Sequence, residues 1–275
     1  MDSFKDSLAY WSTILGTVLS VLGLSESSLF LAVLGSLLLA GSLAALVYAE
    51  RQRQKLKLAA VKIEGRSIDS LNLASLGRRL NRSLIVQEAE QEATIKGEDM
   101  VISWRYRGYC RAPHEAVAEF SIDTDNYIPF ERLDCFAFDL QHDPKRVHRI
   151  RPVLHGADGL SKKIAVPLLE RLSERELFNV LLVCTLPGCM KSGVEYYTST
   201  MSTAQERVPI FTVRLVFLDE RPEWVRVYEC GASGVTKLLK DLQPSHEAAE
   251  LIEYTDQAND VPAQSARIYV FCRRA

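Results

Sequence analysis

The sequence predicts a transmembrane hairpin of two helices followed by a mainly-β domain, an antiparallel β-sandwich of immunoglobulin-like type with a few helices, a closed β-barrel being the alternative. Three observations lead there. Two uncharged apolar runs, Leu8 to Leu24 and Ser28 to Ala49, follow one another across Ser25-Glu26-Ser27, and about 20 such residues in a helix span a hydrocarbon layer roughly 30 Å thick. From Met100 onward, apolar and polar residues alternate in short runs, the period of a half-buried strand. Turn-forming clusters punctuate those runs at Asp125-Asn126, His142-Asp143-Pro144, Gly156-Ala157-Asp158-Gly159, Leu186-Pro187-Gly188 and Asp219-Glu220-Arg221-Pro222.

The first apolar run does not read as a signal peptide, because Met1-Asp2-Ser3-Phe4-Lys5-Asp6 lacks a positive n-region and a second run follows at once. Arg51, Arg53, Lys55 and Lys57 flank the second run, and the positive-inside rule places them in the cytoplasm. Both termini are then expected on the cytoplasmic side of an inner-membrane, two-pass protein. Small residues recur at four-residue spacing, Ser12, Gly16 and Ser20 in the first span and Ala32, Ser36, Ala40 and Ala44 in the second. Such stripes let helix backbones approach in lipid. The expected partners are therefore the lipid bilayer and further copies of the chain. Neither span contains an ionisable side chain, which excludes a proton relay within one hairpin.

The expected organisation is a hairpin over 1–49, a stalk and small helical linker over 50–98, and a β-rich cytoplasmic domain over 99–275. In the linker, the run from Ser67 to Leu80 has helical apolar spacing, with Arg78, Arg79 and Arg82 at its end. Strands are expected over 100–110, 116–122, 134–140, 147–154, 162–168, 177–185, 194–201, 208–218 and 224–230, with a last one over 267–272. Residues 233–242 interrupt them, and Ser245 with Glu247 marks the start of a helix running to Tyr254.

Lys and Arg number 33 against 35 Asp and Glu, a formal charge of −2. No global field draws the chain to a nucleic acid polymer. The six cysteines, Cys110, Cys135, Cys184, Cys189, Cys230 and Cys272, form no metal-ligand spacing and are expected to be reduced in a cytoplasmic domain. No phosphate-cradling glycine loop, nucleophile elbow or HExxH helix occurs. No catalytic residue, metal or cofactor is therefore expected, and the chain reads as a non-enzyme.

Two polar constellations are candidates for ligand binding. Arg149 and Arg151 share a face if 147–154 is one strand, and with Lys162 and Lys163 nearby they suit a phosphate. Trp104, Arg105, Tyr106 and Arg107 alternate aromatics with cations, a pattern that stacks bases and holds phosphates. The bland alternative is that the cations solvate an outer sheet face while the aromatics fill the core. Tyr196-Tyr197-Thr198-Ser199-Thr200 is a further stretch suited to a pocket or an interaction edge.

Two apolar spans, a basic stalk and a strand-rich portion beginning at Trp104-Arg105-Tyr106-Arg107-Gly108 together resemble the layout of bacterial two-transmembrane, β-strand-rich immune effectors. That resemblance implies a sensor and effector of antiviral defence, in which the β domain binds an anionic cyclic nucleotide and the membrane helices then self-assemble. The alternative expectation is a membrane-tethered sandwich that recruits a protein partner through a strand or loop face.

Overall fold

The computed structural model describes residues 61–64, 66–68, 81–112, 115–124, 127–141, 149–158, 161–200, 203, 205–231, 234–263 and 265–273, together with Leu37 and Gly41. The chain divides into two units, Met1–Leu58 and Ala59–Ala275. The second unit is built of strands: β1 Val61–Ile63, β2 Arg66–Ile68, β3 Leu84–Lys96, β4 Asp99–Cys110, β5 Glu115–Asp123, β6 Phe136–Asp139, β7 Arg149–Ile150, β8 Val153–Asp158 and β9 Ser161–Leu172. They continue as β10 Leu177–Leu186, β11 Val194–Thr200, β12 Arg207–Leu218, β13 Pro222–Gly231, β14 Thr236–Leu242, β15 His246–Ala248, β16 Leu251–Pro262 and β17 Ser265–Arg273. One 3-10 turn, Phe130–Arg132, precedes β6.

These strands form an eight-stranded sheet in the order β15-β16-β12-β3-β4-β10-β6-β7, a four-stranded sheet β11-β17-β13-β14, a three-stranded sheet β5-β9-β8 and the β1-β2 pair. The mainly-β reading stands. The two-sheet immunoglobulin-like sandwich does not, because the described residues form four sheets and β12 runs parallel to β3 in the largest of them. Nor is there a closed barrel: each sheet has end strands among the described residues.

The membrane hairpin is not seen among the described residues. Among the described residues no helix is long and apolar enough to cross a membrane. Leu37 and Gly41 are helical. The rest of the two expected spans, with Ser12, Gly16, Ser20, Ala32, Ser36, Ala40 and Ala44, lies outside the described residues, as does nearly all of the Ser67–Leu80 helix; its first residues, Ser67 and Ile68, belong to β2. The helix expected from Ser245 to Tyr254 is the β15-β16 hairpin. Ile252, Tyr254 and Asp256 are buried on alternate positions, the strand period, and pairing with β12 along its whole length outweighs the local capping signal. The expected interruption at 233–242 contains β14.

β3 lies in the stretch expected to be linker, and its registry explains much of the architecture. A bulge at Val86/Glu88 shifts the alternation by one, so that Leu84 and Val86 before it and Ala89, Gln91, Ala93 and Ile95 after it all face the core. The other face presents Glu88, Glu90 and Glu92. The main core continues through Val180, Leu182, Leu215, Phe217, Tyr269 and Phe271, all fully buried.

Candidate ligand-binding cleft

Strand β4 sets the floor of the site. Its inward positions Met100, Ile102, Trp104 and Tyr106 follow one another at period two, and all are buried. Tyr106 stacks on Phe120 of β5, ring centroids 4.8 Å apart, and Trp104 lies 6.4 Å from the same ring. The Tyr197 hydroxyl of β11 donates to Gln91 Oε1 at 2.7 Å, holding that ring beside the floor. Burial pushes the hydroxyl pKa of both Tyr106 and Tyr197 well above the ordinary tyrosine value, so both stay neutral.

Above this floor opens a cleft of about 640 Å³, within the usual range of small-molecule sites. Its walls come from β5 (Glu119 to Asp123) and Thr124 after it, from the segment Tyr127 to Pro129 with Arg132, from the β10–β11 connection (Leu186 to Lys191), and from Glu195 to Thr198 with Thr200 of β11. The charged groups in the wall are Glu119, Asp123 and Glu195 against Arg132 and Lys191. The Ser192 N–H donates to Glu195 Oε1 at 2.5 Å. Burial, aided by the nearby Glu195 carboxylate, pushes the Cys189 thiol up to about 12, which keeps it protonated and a poor nucleophile.

The two sequence constellations meet different fates. Trp104 and Tyr106 stand together on the cleft floor. Arg105 and Arg107 are on the opposite face of β4, where β3 places carboxylates directly across from them: Arg107 Nη1 lies 2.7 Å from Glu88 Oε2, Arg105 Nη1 3.6 Å from Glu90 Oε2, and Arg105 Nε donates to Asn179 Oδ1 at 3.0 Å. The alternation that brings the aromatics in turns the cations out, so they cannot share one ligand.

The basic strand expected over 147–154 is broken. Arg149 belongs to β7 and Val153 begins β8, with Arg151 and Pro152 between them, because Pro152 cannot donate to a ladder. Arg149 stacks on Phe136, 4.5 Å from its centroid, and Arg151 is exposed. Val147 and His148 lie outside the described residues. Lys163 is half-buried on β9. Lys162, next to it, is only 2% exposed, and its Nζ lies 5.2 Å from the Tyr127 ring without a hydrogen-bond partner among the described residues. Burial lowers its pKa, with the Asp123 carboxylate acting the other way. Of the four cations, Lys162 is buried, Lys163 half-buried, and Arg149 and Arg151 exposed.

Tyr196, Tyr197, Thr198 and Thr200, legible as a pocket-suited stretch, do line the cleft. The β5 wall and the Leu186–Lys191 connection were not legible: β5 reads as any amphipathic strand, and only the fold shows that its edge faces an opening. Among the described residues no group of three or more His, Cys, Asp or Glu side chains is placed to hold a metal ion. The cysteines correct another expectation, since Cys135 and Cys184 form a disulfide with Cα atoms 4.3 Å apart. The Thr185 N–H donates to the Leu133 carbonyl at 2.8 Å and so draws the two thiols together.

No protein-family model matches the chain, and no curated protein sequence does. Solved structures give low-scoring matches. One is an M1 zinc metallopeptidase from Deinococcus radiodurans, 17% identical, TM-score 0.42, with 70% of this chain and 43% of that one covered. Another is a two-domain M1 zinc metallopeptidase mutant bound to L-tryptophan, 16% identical, TM-score 0.42, with the same coverage. This chain spans less than half the length of either. At these scores the likeness establishes neither a shared fold nor a shared activity.

Proposed function

We propose that the unit Ala59–Ala275 is a recognition module whose ligand lies in the cleft over Trp104 and Tyr106. The observation that carries this reading is the cleft itself: about 640 Å³, floored by aromatic and aliphatic side chains and rimmed by a few polar groups. Rigid apolar floors with sparse polar rims provide binding area at low entropic cost. Arg132 and Lys191 do not outnumber Glu119, Asp123 and Glu195 in the wall, and the arginines of β4 face away. A polyanionic messenger is therefore less well matched than a neutral or cationic ligand with a flat or apolar body.

The test is tryptophan fluorescence of the full chain titrated with a panel containing adenosine monophosphate, a cyclic dinucleotide, indole, 1-anilinonaphthalene-8-sulfonate and a positional-scanning library of acetylated heptapeptide amides. Binding should change the emission of the wild type and should lose most of that change in W104F, which keeps an aromatic floor. Silence across the whole panel would overturn the reading.

A further inference from the structure

We infer that Lys162 is the polar anchor of the cleft: with the Tyr127 ring turned aside, its Nζ donates to a carbonyl oxygen carried by a flat ligand lying over Trp104 and Tyr106. The inference rests on the cleft being the binding site and adds the functional group that its occupant carries.

The first observation is a lysine at a core position. The register of β5 and β9 pairs Ala118 with Val166, Phe120 with Ile164 and Ile122 with Lys162. Residues directly opposite one another in an antiparallel pair share a face of the sheet, and the other five of this row are apolar and buried. Lys162 is as buried as they are, at 2% exposed. Phe120 and Ile122 line the cleft, and Tyr106 of the floor stacks on Phe120. The apolar row therefore ends in an amine beside the cleft wall.

The second observation is what surrounds that amine. Nζ has no hydrogen-bond partner among the described residues. The Asp123 carboxylate attracts it without reaching hydrogen-bond distance. Its cover is aromatic, the Tyr127 ring with its centroid 5.2 Å away. That ring lines the cleft and is 68% exposed, so little packing holds it in place. A single exposed ring thus caps a buried donor at the cleft wall.

The aliphatic stem of a lysine suits an apolar row, but its amine does not. A buried donor without an acceptor costs free energy, and departures of this kind from the core pattern are characteristic of functional sites. An acceptor oxygen on the ligand would complete the amine. Because Asp123 already offsets part of the positive charge, a neutral carbonyl meets the need without a further buried charge.

The experiment titrates the full chain calorimetrically with indole and with indole-3-carboxamide, which adds the carbonyl. The wild type should bind the carboxamide at least ~10-fold more tightly, and Lys162→Met, apolar and of similar length, should shrink that preference to within about 2-fold. The thermal midpoint of unliganded Lys162→Met should equal or exceed that of the wild type, whereas a fall would assign the amine a structural role and overturn the anchor. Reductive methylation of the native chain with formaldehyde and cyanoborohydride, mapped by mass spectrometry, should modify Lys162, about 10-fold faster in Tyr127→Ala. A Lys162 that stays unmodified while the exposed Lys191 is methylated would overturn the inference. So would a carboxamide that binds no more tightly than indole, or a preference that survives Lys162→Met; either result leaves the cleft to the fluorescence panel, and silence across that panel would overturn both readings.

Discussion

The Asp256 carboxylate accepts a hydrogen bond from the Tyr269 hydroxyl at 2.7 Å, and neither side chain reaches solvent. Lys240 Nζ stands 2.7 Å from the other carboxylate oxygen and Arg267 Nη1 2.6 Å from the first, so this one group ties β14, β16 and β17 together across two sheets. Burial acts to raise the carboxyl pKa, but Lys240, Tyr269 and Arg267 outweigh it and hold the value below the ordinary 3.8. Because the folded value lies below the unfolded one, the stabilisation is complete above the unfolded value and lost as pH falls through the lowered one. Asp256→Asn should lower unfolding free energy by about 3 kcal/mol in urea at pH 7, since it takes the counter-charge from Arg267, whose side chain is only 12% exposed. Below about pH 4 the wild type should lose stability more steeply than the variant. Equal urea midpoints at pH 7 would refute the assignment.

Tyr228 donates its hydroxyl to Glu64, and Arg226 Nη1 sits 2.8 Å from the same carboxylate. Burial and then the Glu64 carboxylate push the tyrosine up to about 12. A raised folded pKa stabilises fully below the ordinary tyrosine value and ceases to as pH climbs through about 12. Spectrophotometric titration at alkaline pH should show this phenol among the late-titrating ones in the wild type, and Glu64→Gln should move it back toward about 10.

A methyl group at Gly108 has nowhere to go. An added Cβ would lie 1.8 Å from the Ile85 carbonyl oxygen, which is backbone of the neighbouring strand just before the β3 bulge. Gly108→Ala should cost about 3 kcal/mol or more, seen as a large fall in thermal midpoint. Retention of the wild-type midpoint would mean that β3 and β4 approach less closely at this point.

Thiol titration of the denatured, unreduced chain should find four reactive cysteines, Cys110, Cys189, Cys230 and Cys272, with Cys135 and Cys184 silent until reductant is added. With a sequence separation of 49 the bridge closes a long loop, so its reduction should cost about 4 kcal/mol on the chain-entropy account. Six reactive thiols without reductant would exclude the bridge.

How far the sequence discloses this protein depends on the range of the forces involved. Met100 to Cys110 announces itself as a strand because its own alternation is strong, and Trp104 and Tyr106 can be picked out as a pair for the same reason. Glu88, Glu90 and Glu92 carried the same period-two signal in charge rather than in hydropathy, and reading them so would have placed β3 and the outward fate of Arg105 and Arg107 at once. Ser245 to Tyr254 misleads, since its cap is a local preference overridden by eleven residue pairs between β16 and β12. The cleft was beyond reach in principle: it is bounded by edges of two sheets whose neighbours are decided by contacts between distant segments.

The parallel join of Leu84–Lys96 to Arg207–Leu218 carries a temporal cost. A ribosome must deliver more than a hundred further residues before β3 can meet that neighbour, and until then an apolar flank with open amides stays available to any other chain. Long-range pairing of this kind forms slowly, and half-built sheets are prone to misassociate. Recovery of native material during synthesis or refolding should therefore respond to temperature, dilution and chaperone supply far more than the equilibrium stability of the finished molecule would suggest.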